Sequence, residues 1–360
     1  MGLLVLWSTC PVASIEFLIN SGTSLTSNLL SDSTNTSAIS IVNRGSITVF
    51  PSSTLSTKAV MSRVNFIDHS SFNYTLVIGE FWWLPSPSSA TYNFSLALQI
   101  DARYHTKEQF RFDRLGLGAT IGLVRRWSTG FSVRSVLASN SVRYHNAESG
   151  NRTSFEALLG ANIALGNRNT LDVTINGGTH VYNFLDREFL LIDPNDPTKS
   201  LIRGSAPFFG ASLRWSRPIT ARTGVAITLR AETLTGTQNR LLFGASTGYL
   251  TPWDELIDRA VSSLQFKSFM IPKVESVLFF SNERRWFHSA VENSKILPIK
   301  SSSRRDDGIR VNLTLMIPVL VSKTLLGRVT LATSYFNSKS NISQYSFKSW
   351  DGGILFELEF

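Results

Sequence analysis

The residues best suited to chemistry in this 360-residue chain are five histidines, His69, His105, His145, His180 and His288, since imidazole serves both as a metal ligand and as a proton carrier near neutral pH. No two of them stand at a metal-ligand spacing, so no metal site is expected. The single cysteine, Cys10, lies where any N-terminal processing would remove it, which leaves no disulfide framework, thiolate site or cysteine nucleophile. There is no G-x-S-x-G elbow and no P-loop. Gly116, Gly118 and Gly122 approach a dinucleotide fingerprint, but the third spacing is wrong and no helix follows. No cofactor is therefore expected. His180 with Asp186, or His105 with Glu108, could be assembled into a hydrolase site. No spacing singles out either pair, so no catalytic residue is assigned and the histidines read as solvated loop residues.

Arginine is the more informative group. Arg103, Arg134, Arg214, Arg230, Arg310 and Arg328 alternate with apolar positions in strand-like segments, against Asp101 and Glu232. If such strands enclose an open lumen, inward arginines favour anions and repel cations. If acids pair with them, they fill a closed wall instead.

Those arginines need strands to hold them, and the composition agrees. Charged residues make up 17% of the chain and hydrophobic residues 42%, where average proteins carry about 25% charged residues. Mean hydropathy is near zero, and no uninterrupted apolar run approaches the 18 or so residues of a spanning helix. The longest stretch, Leu313 to Val321, is broken by Thr314 and Pro318, which excludes a helical membrane protein. The net charge of +9 is spread over wall and loops without a recognition helix, so nucleic acid is not an expected partner. Part of it, Arg284, Arg285, Lys295, Lys300, Arg304 and Arg305, falls in expected outer loops and suits the phosphates of lipopolysaccharide.

From about Ala59 onward apolar and polar residues alternate with period two, as in strands with two different faces. Tyr92, Phe94, Leu96, Leu98, Ile100, Ala102 and Tyr104 share one face. Ile309, Val311, Leu313, Leu315, Ile317 and Val319 share another, and Val225, Ile227, Leu229 and Ala231 a third. Such lengths exceed the usual five or six residues and suit a tilted strand crossing a bilayer in about 9–11 residues. Tight turns near Pro85–Ser88, Arg126–Thr129, Gly166–Asn169, Pro218–Arg222, Pro272–Lys273 and Val321–Lys323 alternate with longer polar loops such as Asp186–Ser205, Gly236–Ser262 and Arg284–Asp307. That asymmetry belongs to outer-membrane barrels, whose short turns face the periplasm.

The expected fold is all-β: a transmembrane antiparallel up-and-down β-barrel of about 14 strands, within a range of 12–16. Residues 1–14 read as a weak or truncated signal peptide, 15–57 as a polar Ser/Thr/Asn-rich leader, and 58–360 as the barrel. Gly116, Gly118 and Gly122 then face the lumen and leave a bare patch for the leader or an infolded loop, or else mark a bend. Trp82, Trp83, Trp127 and Trp215 beside the short turns, with Trp286 and Trp350 near the opposite rim, form two aromatic belts at headgroup level.

The C-terminus GGILFELEF places Ile354, Phe356, Leu358 and the terminal Phe360 on one face, with Glu357 and Glu359 on the other. It resembles the assembly signal of bacterial outer-membrane β-barrels, and the resemblance implies recognition by the barrel-insertion machinery. Arg304, Arg305 and Asp306, followed by Tyr335, Ser340, Asn341, Ile342, Tyr345 and Phe360, look like the closing strands of barrels that sit behind tetratricopeptide repeats. The surface lipoprotein assembly modifiers are among them, and that resemblance implies a surface lipoprotein or repeat-domain partner. Unlike that pattern, no helical repeat is expected within these 360 residues ahead of the barrel.

The sequence therefore points to a Gram-negative outer-membrane barrel surrounded by lipid and lipopolysaccharide, and to a porin-like channel for small, preferably anionic, solutes. The alternatives are a barrel for assembly or export of surface (lipo)proteins and, third, an outer-rim hydrolase.

Overall fold

The computed structural model describes residues 14–27, 37–85, 91–106, 113–128, 130–145, 151–182, 204–234, 257–271, 273–287, 305–320, 326–341 and 346–359. They form sixteen strands: β1 (Ser14–Thr26), β2 (Ala38–Ser52), β3 (Leu55–Phe66), β4 (Tyr74–Trp83), β5 (Tyr92–His105), β6 (Arg114–Ser128), β7 (Phe131–Tyr144), β8 (Arg152–Gly166), β9 (Asn169–Tyr182), β10 (Gly204–Pro218), β11 (Thr223–Leu234), β12 (Ile257–Ile271), β13 (Val274–Phe287), β14 (Arg305–Leu320), β15 (Leu326–Ser340) and β16 (Phe347–Glu359). A 3₁₀ turn, Ser70–Phe72, lies between β3 and β4. Each strand pairs antiparallel with its neighbours in sequence, and β1 pairs with β16 to close the barrel.

Residues directly opposite in an antiparallel pair point to the same face, so the registers divide the wall into two surfaces. One carries large exposed hydrophobics on almost every strand, among them Phe17, Leu98, Leu117, Leu137, Leu159, Phe209, Leu229, Phe280, Leu313 and Ile354. A continuous row of this kind runs Leu171–Trp215–Ile227–Leu264–Phe280–Val311–Tyr335–Trp350. The opposite, concave surface holds buried polar groups such as Asn20, Ser40, Thr174, Ser281, Glu283, Asp306, Ser338 and Ser349. A soluble barrel would bury the apolar face and expose the polar one; this chain does the reverse, as a wall between lipid and a polar interior requires.

The expected polar leader is the main correction. Residues 14–26 and 38–52 are not ahead of the barrel but form its first two strands, and with β1 and β2 the count is sixteen, the upper end of the expected 12–16. Backbone pairing with β16 and β3 satisfies their N–H and C=O groups, and that does not depend on apolar side chains. Residues 1–13, including Cys10, lie outside the described residues.

Short connections gather at one end. The two residues Asn167 (φ 47°) and Arg168 (φ 61°) join β8 to β9, both in the left-handed region that a two-residue hairpin turn with the proper twist demands. Lys273 (φ 73°) turns β12 into β13. The strands β1 and β16 start and finish at this same end.

Candidate functional site

The concave surface is where side chains of this fold can act on a solute. All eight charged residues singled out from the sequence, Arg103, Arg134, Arg214, Arg230, Arg310, Arg328, Asp101 and Glu232, fall on it by register. Their environments differ. Arg134 makes a two-pronged pair with Asp172, at 3.1 and 3.0 Å, and donates to Thr174 at 2.9 Å. It reaches β9 from β7 by crossing over Gly160, where an added Cβ would stand 2.8 Å from its Nε. Arg230 pairs with Glu232 on its own strand at 3.1 Å, and Arg328 pairs with Glu357 on β16. Arg310 lies over the Phe336 ring at 4.9 Å. Arg214 stands directly opposite Asp172 and Thr228.

Arg103 is placed differently. It lies directly across from Arg114, near the long-loop end of β5 and β6, and its guanidinium covers the Tyr74 ring at 4.8 Å. Like charges directly opposite in a sheet repel. Asp101 lies 3.6 Å from Arg114, and its side chain occupies the space over Gly116. The Nε atoms of Arg103 and Arg114 are buried and have no acceptor among the described residues.

The inner wall also carries charges that the sequence pattern did not single out. Glu283 is gripped by Arg259 at 2.6 Å and Arg285 at 2.9 Å, and Lys267 meets Glu275 at 2.7 Å. Across β11–β14 one row reads Glu232–Arg259–Arg285–Asp306. Arg44, Lys58, Glu80 and Glu156 face inward as well, the last accepting from Asn176 at 2.8 Å. The expected surplus of inward arginine is thus partly offset: Arg230 and Arg285 find an acid on their own strand, and Arg134, Arg259 and Arg328 find one on another strand. Cross-strand partners are not adjacent in sequence; extending the period-two alternation along each neighbouring strand would have found them.

The glycines of β6 face the lumen, and the space over them is filled by neighbours on β5: Asp101 over Gly116, Gln99 beside Gly118 at 3.6 Å, and the Ser95 hydroxyl at Gly122. The leader proposed as their occupant is itself wall.

Of the histidines, His105 contacts Asp113 at 3.3 Å through Nδ1, and its backbone N–H donates to the same oxygen at 2.6 Å. His180 stacks on Phe208 at 4.8 Å. Glu108, Asp186 and His288 lie outside the described residues, and no group of three metal-ligating side chains occurs among the described ones.

Aromatic residues mark both ends of the outer face. Trp83 meets Phe94 at 5.9 Å and Trp127 meets Phe131 at 5.3 Å, while Trp215 joins the apolar row described above. Trp350 contacts Tyr335 at 4.5 Å at the opposite end. Trp82 departs from the expected belt. Successive side chains of a strand alternate faces, so it cannot share a surface with Trp83; it lies opposite Ser56 and Ala97 on the inner side. On β16, Ile354, Phe356 and Leu358 share the outer face with their partners Leu331, Val329 and Gly327, whereas Phe360 lies outside the described residues.

No family model matches this chain, and no curated protein does. Solved structures do match. A bacterial polysaccharide outer membrane secretin aligns over 96% of this chain and 97% of its own, with a TM-score of 0.51 at 10% identity. CdiB from Acinetobacter baumannii aligns over 96% of this chain and 60% of its own, with a TM-score of 0.51 at 12% identity. At such identities the shared feature is the fold, that of the outer-membrane β-barrel proteins.

Proposed function

We propose that the protein is a channel of a Gram-negative outer membrane that passes small solutes and prefers anions. The observation that carries this reading is the Arg103–Arg114 pair: two arginines directly opposite each other on the inner wall, of which Arg114 has Asp101 at 3.6 Å. A repulsive arrangement of this kind weakens the wall unless a passing anion uses it. The apolar outer face and polar inner face support the membrane reading, as does the fold shared with outer-membrane barrels. In a planar bilayer separated by a salt gradient, purified protein is expected to give stepwise conductance with a reversal potential on the anion side. Arg103→Gln/Arg114→Gln should bring that potential toward zero. Absence of steps, or a cation preference in the wild type, would overturn the channel.

A second reading, export of a surface polymer or (lipo)protein, is favoured by the likeness to the polysaccharide secretin and by the near balance of acids and bases along the inner wall. It predicts a strain that loses one surface component on deletion while small-solute uptake is unchanged.

A further inference from the structure

Large side chains cover most of the outer face, but near the long-loop end they give way to small ones. A cross-strand row runs Ala211–Ala231–Ala260 over β10–β12 and then meets Arg284 on β13. The next row toward the middle of the barrel brings Ser262 opposite Asn282. The missing side chains leave a groove of about 590 Å³ on this face, bounded by Leu213, Leu229 and Trp286. Ser262 and Asn282 are exposed there, on a surface otherwise suited to hydrocarbon. An amide facing lipid without a hydrogen-bond partner costs on the order of 1–3 kcal/mol, so this is a place for a polar group at membrane depth.

The strands beside the groove supply charge. Arg284 and Arg305 share Asp307, at 2.7 and 3.3 Å. Lys339 stands opposite Asp307 on β15, and Lys348 stands opposite Asn337 on β16, two residues before Trp350 on the same face. Four cations thus face outward across β13–β16. The carboxylates on this face are Asp307 and Asp258, the latter accepting from Thr233 at 2.5 Å. Cationic side chains on a lipid face are tolerated near the interface and costly at the midplane. They lie one to three rows beyond the Tyr335–Trp350 contact, at the height of headgroups.

We propose that this surface binds the phosphorylated glucosamine headgroup of lipopolysaccharide, with phosphate at Arg305, Lys339 and Lys348 and the sugar or its first acyl carbons in the alanine groove. Charge complementarity selects a phosphate-bearing lipid, and the exposed amide and hydroxyl select one with sugar hydroxyls or amides. The site rests on the membrane reading above but not on what passes through the lumen.

The test uses the full chain extracted in detergent from a lipopolysaccharide-containing membrane. After extensive washing, wild type is expected to retain about one equivalent of lipopolysaccharide, read as a mass adduct and as bound phosphate. Lys339→Gln/Lys348→Gln should lower retention at least fivefold, and so should Ala231→Phe, which fills the groove without touching a charge. Arg63→Gln removes an outer-face cation held elsewhere by Asn65 and Thr75, and should change nothing. Reconstituted protein should take up lipid A from mixed vesicles in preference to phosphatidylglycerol. Equal retention by all variants, equal uptake of the two lipids, or a mass that doubles through a second copy seated on the groove would each overturn the proposal. Migration of each variant as a folded barrel in unheated gels separates loss of the site from failure of the membrane reading.

Discussion

Two sectors of the same inner wall treat charge in opposite ways. Across β11–β13 each inward arginine has an acid: Arg230 has Glu232, while Arg259 and Arg285 grip Glu283. Across β5 and β6, Arg103 faces Arg114, glycines replace bulk, and Asp101 reaches Arg114 alone. The first sector reads as fabric, since its charges cancel locally and satisfy one another's hydrogen bonds. The second pairs its charges more loosely: Arg103 lies on the Tyr74 ring, Arg114 is 3.6 Å from Asp101, and Asp113 is held by His105. The number of arginines facing a lumen is thus a poor guide to selectivity; what counts is the number left over after cross-strand pairing.

Three substitutions sharpen this contrast. Glu283→Ala should cost the most, on the order of 2–3 kcal/mol, because it strands two guanidiniums on a nearly closed part of the wall; the usual cost of breaking a buried pair is discounted here for their partial exposure. Urea unfolding in micelles would show the loss, while the reversal potential in a bilayer should stay put. Arg103→Glu should act in the other direction. Turning a repulsive cross-strand pair into an attractive one is expected to stabilise by roughly 0.2–1 kcal/mol, while the anion preference falls. A variant that lost both stability and selectivity would place Arg103 in the fabric after all. Arg230→Gln should do least, under about 1 kcal/mol, because the pair it breaks is half exposed and screened by solvent.

How much of this could be read from the chain depends on where polar residues fall. Strand β5 was legible because its outer face, Tyr92 to Tyr104, is apolar at every step. Strands β1 and β2 were not, because their outer faces include Ser21, Thr23, Asn43 and Gly45, which erase the alternation. In the structure Ser21 donates to Asn43 at 2.8 Å, so two side chains that looked like loop composition satisfy each other on the barrel surface. The weak patterning of β12 and β13 has a related source: Ala260, Ser262, Asn282 and Arg284 all face outward, as the groove requires. The inner arginines were visible one strand at a time, whereas their acids, Asp172 for Arg134 and Glu357 for Arg328, depend on register, which no single strand encodes.

Fifteen of the sixteen strand junctions join segments adjacent in the chain, and one does not. The seam between β1 and β16 bridges nearly the whole length, and the Trp350 backbone N–H donating to the Ser27 hydroxyl at 2.6 Å spans 323 residues. Closing so long a loop costs about 3 kcal/mol more than closing one of about ten residues, since the entropy grows only with the logarithm of length. The delay is another matter, since the contact cannot form until the last strand exists. Until then the molecule is a sheet with two bare edges, the state most prone to pair with a stranger. The Ser/Thr/Asn-rich opening strand, which must wait longest for its partner, carries hydroxyls where its successors carry leucine, and so is the part of this wall that water can best keep company with in the interval.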